Sequence, residues 1–256
     1  MILKELSLIN FKNYAQAELQ FCNGANVFVG LNGAGKTNLL DAVYYLSFCK
    51  SAFNPVDSQN IHNNEPFFVV QGQFEKEEQT LNVHCGIKKG QKKSFKRNKK
   101  EYDRLADHIG VLPLVMISPA DSDLIHGGSE LRRKFIDGVI AQYKRPYLDH
   151  LMSYQKAVQQ RNALLKKFNE QRYYDSESLA VWDMQLDQFG VPIFEARKAF
   201  LKEFIPLFQE YYELISGGRE RVRLDYDTKL NDTSFYELLE EAQQKDRALG
   251  YTSVGT

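Results

Sequence analysis

Asn26-Val27-Phe28-Val29 runs directly into Gly30-Leu31-Asn32-Gly33-Ala34-Gly35-Lys36-Thr37, and the amphipathic stretch Asn38 to Phe48 follows at once. The eight residues from Gly30 fit G-x-x-x-x-G-K-[ST] at every fixed position, between an apolar strand and a helix. Each residue type has a reason. Glycines let the backbone wrap closely round phosphate oxygens. Backbone N–H groups and the helix N-terminus then face the anion. Lys36 would bridge the β- and γ-phosphates, and the Thr37 hydroxyl would ligate Mg²⁺. The plain alternative is a glycine-rich β-to-α turn with an exposed lysine; the strand before and the helix after weigh against it. The motif specifies a nucleoside triphosphate, and by itself no reaction.

Outward from this loop, the first half reads as strands around one helix. Leu3 to Ile9, Ala17 to Phe21 and Ala25 to Val29 are strand candidates. Lys36 to Phe48 carries Leu39, Leu40, Val43, Tyr44 and Leu46 at helical spacing. Phe67 to Phe74 and Thr80 to Ile87, joined by the polar Glu75 to Gln79, predict a hairpin. Leu112 to Ile117 reads as a buried strand closed by Ser118-Pro119. The second half is helical from Ser129 to about Gly217, with stripes at Leu148, Leu151, Val158, Leu165 and at Leu179, Trp182, Leu186, Phe189. Pro192 and Pro206 predict helix breaks. Val222 to Tyr226 reads as a short strand and Ser234 to Gln244 as a helix. The division is expected near Pro119, with residues 1–119 as an α/β lobe that carries the phosphate loop and residues 120–250 as a mainly helical lobe. Residues 251–256 read as an extended stretch.

Composition narrows the class. The chain has 256 residues, 43% hydrophobic and 26% charged, which excludes collagen-like and disordered chains. Three scattered cysteines (Cys22, Cys49, Cys85) without C-x-x-C argue against a disulfide framework or zinc ribbon and for a reducing, cytoplasmic setting. The longest apolar stretch, Val111 to Ile117, is too short to span a membrane. The five histidines lack metal-ligand spacing, and no Ser-His-Asp or G-x-S-x-G arrangement occurs. Thirty-three basic and 33 acidic residues cancel, yet a local field survives. Lys88 to Arg104 holds nine basic residues against Glu101 and Asp103, a net +7. Lys88, Lys89, Lys92, Lys93, Lys96, Arg97, Lys99 and Lys100 are therefore candidates for sequence-independent contact with DNA phosphates. The bland reading is a solvated hairpin edge. Only Phe95 and Tyr102 interleave, so no base-stacking platform is indicated.

Four segments, in order, carry a resemblance: LSLINFKNY (Leu6 to Tyr14), GLNGAGKTNLLDAVYYL (Gly30 to Leu46), SPADSDLIHGGSELRRKFID (Ser118 to Asp137) and YQKAVQQRNALLK (Tyr154 to Lys166). Together they resemble the RecF family, in the SMC-like branch of ABC-type ATPases, over the whole chain. The resemblance implies an α/β P-loop NTPase (ABC/SMC-like) sheet lobe with an inserted, mainly helical second lobe, after which residues 251–256 would begin a return to the first. It implies ATP and Mg²⁺ as cofactors and nucleotide contacts along Gly30, Leu31, Asn32, Gly33, Ala34, Gly35, Lys36, Thr37 and Asn38, with Lys12 and Asn13 approaching from the first strand end. Lys12 stands where such proteins commonly have Arg, and so loses the planar fork. Implied partners are single-stranded and gapped double-stranded DNA, RecR and RecO, and a second copy in the ATP state. The implied role is recombinational repair of gaps, RecA loading and the SOS response.

The sequence also departs from the pattern. No Ser-x-Gly-Gln signature run follows the helical block, and no apolar strand ends in paired acids. Leu238-Leu239-Glu240-Glu241 sits in a helical pattern with Phe235 and Ala242. The expectation is an N-terminal portion of a slow ATPase, without efficient hydrolysis of its own. No Gln stands at Ser118-Pro119, so none is assigned to a Q-loop; Gln71 and Gln73 lie elsewhere. Ser129 reads as a helix N-cap, Arg132 and Arg133 read as local partners of Asp137 with DNA contact as the alternative, and Gln160-Arg161-Asn162 reads as a solvated helix face. The alternatives are another SMC-like P-loop ATPase of DNA metabolism, or an interaction module with a vestigial loop.

Overall fold

The structure, a computed structural model, describes residues 1–77 and 79–256. It divides into two compact units, Met1–Ile125 and His126–Thr256. The division lies six residues beyond Pro119, and residues 251–256 fall within the second unit.

The first unit is built on strict alternation. β1 (Ile2–Phe11), β2 (Tyr14–Gln20), β3 (Phe67–Lys76), β4 (Gln79–Lys88), β5 (Ser94–Arg97) and β6 (Lys100–Glu101) form one sheet in the order β2-β1-β3-β4-β5-β6. Every pairing is antiparallel. Period-2 alternation sends Leu6 and Leu8, Phe68, Val70 and Phe74, Val83, Cys85 and Ile87, and Phe95 to one face, where all are buried. Helix α1 (Lys36–Phe48) covers that face with Leu39, Ala42, Tyr45 and Leu46. Edge-on rings of Phe11, Tyr45 and Phe68, with centroids 5.2–6.1 Å apart, lock the two layers. The β3–β4 hairpin matches the sequence reading; of its expected turn, Glu78 lies outside the described residues.

Two expected strands do not form. Ala25–Val29 and Leu112–Ile117 enter no ladder among the described residues. Val27 and Val29 are 80% and 87% exposed. Alternation supplies a strand's faces, but its backbone N–H and C=O groups need a neighbour, and none of the six strands offers these segments one.

The second unit contains α3 (Ser129–Tyr143), α4 (Arg145–Gln171), α5 (Ser176–Ser216) and α6 (Phe235–Leu249), after a single turn α2 (Asp123–His126) at the divide. Asp175 caps α5 by accepting from Glu177 N and Ser178 N, and a Ser234/Glu237 capping box starts α6. Ala157, Leu186, Phe235 and Leu239 form one core, and Leu165, Phe168 and Leu179 another. Pro192 and Pro206 do not break α5, which runs 41 residues through both. Leu179, Leu186, Ile193 and Phe194 bury one side of the helix round Pro192, and a row of neighbouring rings, Phe200, Phe204, Phe208 and Tyr212, flanks Pro206. Val222–Tyr226 forms no strand. Ser129 is the first residue of α3, not its cap, and accepts from Arg133 Nη1 at 2.9 Å.

Candidate nucleotide site and basic hairpin

The loop between Gly30 and Lys36 has the geometry its glycines allow. Gly30, Gly33 and Gly35 take φ of 153°, 81° and 103°, values that L side chains avoid. Gly35 is also short of space: a Cβ there would lie 2.6 Å from Asn13 Nδ2 and 2.9 Å from the Tyr14 hydroxyl. Gly35 is the N-cap of α1, with no side-chain cap and no acid in the first turn. The first N–H groups of α1 thus keep their capacity for an external acceptor. Lys36 Nζ donates to Gly30 O and Leu31 O, both at 2.8 Å, which holds the ammonium inside the loop. Leu31, Asn32, Gly33, Ala34 and Thr37 are exposed along the rim, and Ala34 N donates to Leu31 O at 3.2 Å.

A clamp from the β1–β2 turn holds this loop. The Tyr14 hydroxyl donates to Gly35 O at 3.2 Å, Asn13 Nδ2 reaches Gly33 O at 3.5 Å, and Asn38 Nδ2 donates to Asn13 Oδ1 at 2.8 Å. Asn13 and Asn38 therefore meet at the loop; Tyr14 was missed, although its place two residues past Lys12 was in view. Lys12 has another engagement. Its Nζ lies 2.6 Å from Oδ2 of Asp41 on α1, whose carboxylate is wholly buried and also accepts from Ser51 Oγ and Ala52 N at 2.7 Å. Lys12 is thus the counter-ion that joins the turn to α1.

The surroundings are buried. Burial raises the Tyr45 hydroxyl, aided by Cys85 and its hydrogen bond to Asp57. It pushes the Cys49 thiol up to about 12. His108, between Tyr102 and α1, falls to about 4 through burial. Its Nε2 lies 2.6 Å from Leu46 O and its Nδ1 3.0 Å from the Tyr102 hydroxyl. The neutral ring therefore donates to the carbonyl and accepts from the phenol.

The basic stretch is divided by the sheet. Lys93 is not available to an outside anion: its Nζ sits 2.8 Å from Asp57 Oδ2, donates to Cys49 O at 2.6 Å and lies 5.1 Å from the Tyr45 ring. Arg97 packs over the Tyr102 ring. Lys88, Lys89, Lys92, Lys99 and Lys100 are exposed, and Lys96 half-buried. Among the described residues no cluster of His, Cys, Asp and Glu forms a metal site, and no helix is long and apolar enough to cross a membrane.

Residues 2–223 match the family described as RecF/RecN/SMC N terminal domain. The DNA replication and repair protein RecF of Phocaeicola vulgatus is 52% identical over 256 residues, all of this chain and 68% of the relative. The chain belongs to the RecF family. The RecF of Flavobacterium johnsoniae is 51% identical over 255 residues, covering 71% of its length. Among solved structures, the recombination mediator protein RecF-ATPrS in the RecFOR pathway superposes with a TM-score of 0.89 at 28% identity, over 99% of this chain and 71% of that one. RecF-ATP gives 0.88 at 27% identity, over 99% and 70%. Membership in the RecF family assigns the chain to DNA replication and repair. It leaves the helical unit to be read from geometry. Asp137 does not pair with Arg132 or Arg133; it takes Arg197 through Nε at 2.8 Å and Nη2 at 2.9 Å. Arg161, expected in solvent, is 0% exposed, held by Asp183 and Asp246 at 2.6 Å each, while Asn162 accepts from Thr252 N at 2.7 Å. The acids come from α5 and α6, so no signal inside α4 could have shown them.

Proposed function

We propose that this chain binds ATP at Gly30–Asn38 and works as a nucleotide-dependent, sequence-independent DNA-binding recombination mediator. The observation that carries the reading is the loop itself: three glycines at positive φ, an uncapped helix start and Lys36 drawn onto two loop carbonyls. Such a hollow suits a polyphosphate. A bound triphosphate supplies negative oxygens to the loop N–H groups and Lys36, and Thr37 in the first turn of α1 would hold Mg²⁺ beside them. Asn13, Tyr14 and Asn38 fix the loop's shape. Lys12 acts through Asp41 rather than on phosphate.

Exposed lysines on the β4–β6 hairpins support contact with DNA phosphates, with counterion release and no sequence preference. ATP-dependent pairing of two copies, RecR and RecO as partners, and cytoplasmic work on gapped DNA belong to the same reading. Asp41 on α1 is engaged by Lys12, and the sequence holds no apolar strand ending in paired acids, so residues 1–256 should bind ATP without efficient hydrolysis. Thermal unfolding with and without Mg·ATP tests the nucleotide site. At a hundred times Kd, ATP should add about 2.7 kcal/mol, a rise in Tm of roughly 5–10 °C. Lys36→Ala should erase that rise; an equal rise in the variant would remove the loop from the site.

A further inference from the structure

The sheet face turned away from α1 carries a second polar concavity. Register builds it. Gln71 on β3 stands opposite His84 on β4, and His84 opposite Lys96 on β5; one step along, Gln73 stands opposite Asn82. Alternation has sent the neighbours Val70, Val83, Cys85 and Phe95 inward, so these polar side chains share the outer face. The β5–β6 turn then folds over the end of the row. Asn98 and Lys99 both take positive φ, 48° and 69°, as a two-residue hairpin loop requires. Asn98 locks back onto β4, its Oδ1 accepting from Asn82 N and its N donating to Asn82 O, both at 2.8 Å. Lys99 is thereby brought to the rim.

The result is an open basin of about 610 Å³ lined by Gln71, Thr80, Asn82, His84, Lys96, Asn98 and Lys99. Its size lies within the roughly 300–1,000 Å³ of small-ligand sites. Among the described residues the lining holds two ammonium groups and no carboxylate; Glu101 stands across the β5–β6 pair from Lys96, outside the lining. No Phe, Tyr or Trp lines it; its one aromatic ring is the His84 imidazole, so it is no extended stacking platform for successive bases. His84 Nδ1 is shielded from solvent and has no hydrogen-bond partner among the described residues. Burial and the Lys96 charge lower the His84 pKa, so the ring is neutral near pH 7 and its shielded nitrogen adds no charge. Two cations beside neutral amide and imidazole groups, without an array of large aromatic rings, fit phosphate and sugar oxygens.

We propose that this basin seats one phosphodiester unit of a DNA strand, with Lys96 and Lys99 on the phosphate and His84, Gln71 and Asn82 as neutral hydrogen-bonding groups around it. The proposal rests on the DNA-binding reading above and gives it an address: the outer sheet face, behind the face that carries α1.

Fluorescence anisotropy of a labelled oligothymidylate, titrated with residues 1–256 across a series of KCl concentrations, tests it. The paired substitution Lys96→Gln with Lys99→Gln should weaken binding at least tenfold at low salt. It should also flatten the log K against log[salt] slope by about 0.7, the contribution of the one single-strand phosphate that the two lysines share. His84→Phe should weaken binding about fivefold with the slope unchanged, because a neutral contact releases no counterion. An unaltered affinity in His84→Phe would mean a diffuse field and overturn the seat. Loss of binding only when Lys88, Lys89 and Lys92 become Gln, with the basin variants intact, would overturn the basin and leave the DNA reading standing. No binding by the unaltered chain at any salt would end both. Displacement by thymidine monophosphate near the strand's own Kd would assign the basin to a free ligand and overturn the strand. For variants that fold poorly, the His84 ring resonance of the unaltered chain decides: it should shift as the strand saturates, and a stationary signal at saturation refutes the proposal.

Discussion

On the α1 side of the sheet unit, Lys12, His108 and Gly72 each meet a fixed neighbour: a buried carboxylate, a helix carbonyl and a leucine methyl. On the opposite side Lys96, His84 and Gly86 occupy the same sheet and face an open basin or solvent. Residue type is therefore a poor guide to role here. The inner member of each pair serves the fold, and the outer member remains available to a ligand. Each pair gives an experiment that could break the contrast.

The lysines should differ most. Lys12→Met removes the cation from Asp41, which is fully buried and keeps only Ser51 Oγ and Ala52 N as donors. Stranding a buried charge costs about 3–5 kcal/mol. Because the same turn bears Asn13 and Tyr14, the loss should also weaken ATP binding. Lys96→Met should change stability by no more than about 0.5 kcal/mol. Urea unfolding of both variants reads the difference. Equal midpoints would mean that the Lys12–Asp41 pair carries no structural weight.

That contrast also marks how far sequence reading reaches. The P-loop was legible because its chemistry is local: eight consecutive residues supply the glycines, the lysine and the helix start. Helix α1 and the β3–β4 hairpin were legible from periodicity. Asp41 as the partner of Lys12, Asp57 as that of Lys93, and the acids round Arg161 were not, because each comes from an element 22 or more residues away in the chain. The run Lys88–Arg104 reads as one patch in sequence; the sheet splits it, turning Lys93 inward to Asp57 and Lys96 outward to His84. Val27 and Val29 show the converse, a strand pattern with no ladder to join. Helix α5 likewise runs through Pro206, where a break was expected.

The histidines should separate by pH. His108 is neutral in the folded chain, with its pKa down at about 4, against about 6.5 when unfolded. The unfolded state therefore binds the extra proton between those values. Stability should fall as pH drops from 6.5 towards 4, by roughly 3 kcal/mol at the limit, and change little above 6.5 on this account. His108→Gln should flatten that part of the curve while lowering it overall. His84 is also depressed, by burial and by Lys96. Lys96→Gln should raise its titration midpoint, followed by NMR, and leave the acid sensitivity of folding in place. Acid unfolding that tracked His84 instead of His108 would reverse the assignment of the two faces.

The glycines give the smallest and sharpest comparison, since the same methyl group is added on each side. On β3, a Cβ at Gly72 would stand 2.7 Å from Leu46 Cδ1 and 2.8 Å from the Phe74 ring. Leu46 is itself wholly buried and Phe74 nearly so, so neither side chain can swing into solvent. Gly72→Ala should therefore force α1 off the sheet locally and cost about 1–3 kcal/mol. On β4, a Cβ at Gly86 meets only His84 Cε1, at 3.4 Å, on the open face. Alanine there restricts the unfolded chain more than it crowds the native one, so Gly86→Ala should be neutral or stabilising by up to about 1 kcal/mol. The added methyl also presses the His84 ring from one side, so a modest loss of oligothymidylate affinity without loss of stability is expected. Thermal melts of the two variants decide the point: a destabilised Gly86→Ala beside a tolerated Gly72→Ala would mean that the outer face, not the inner, is the packed one.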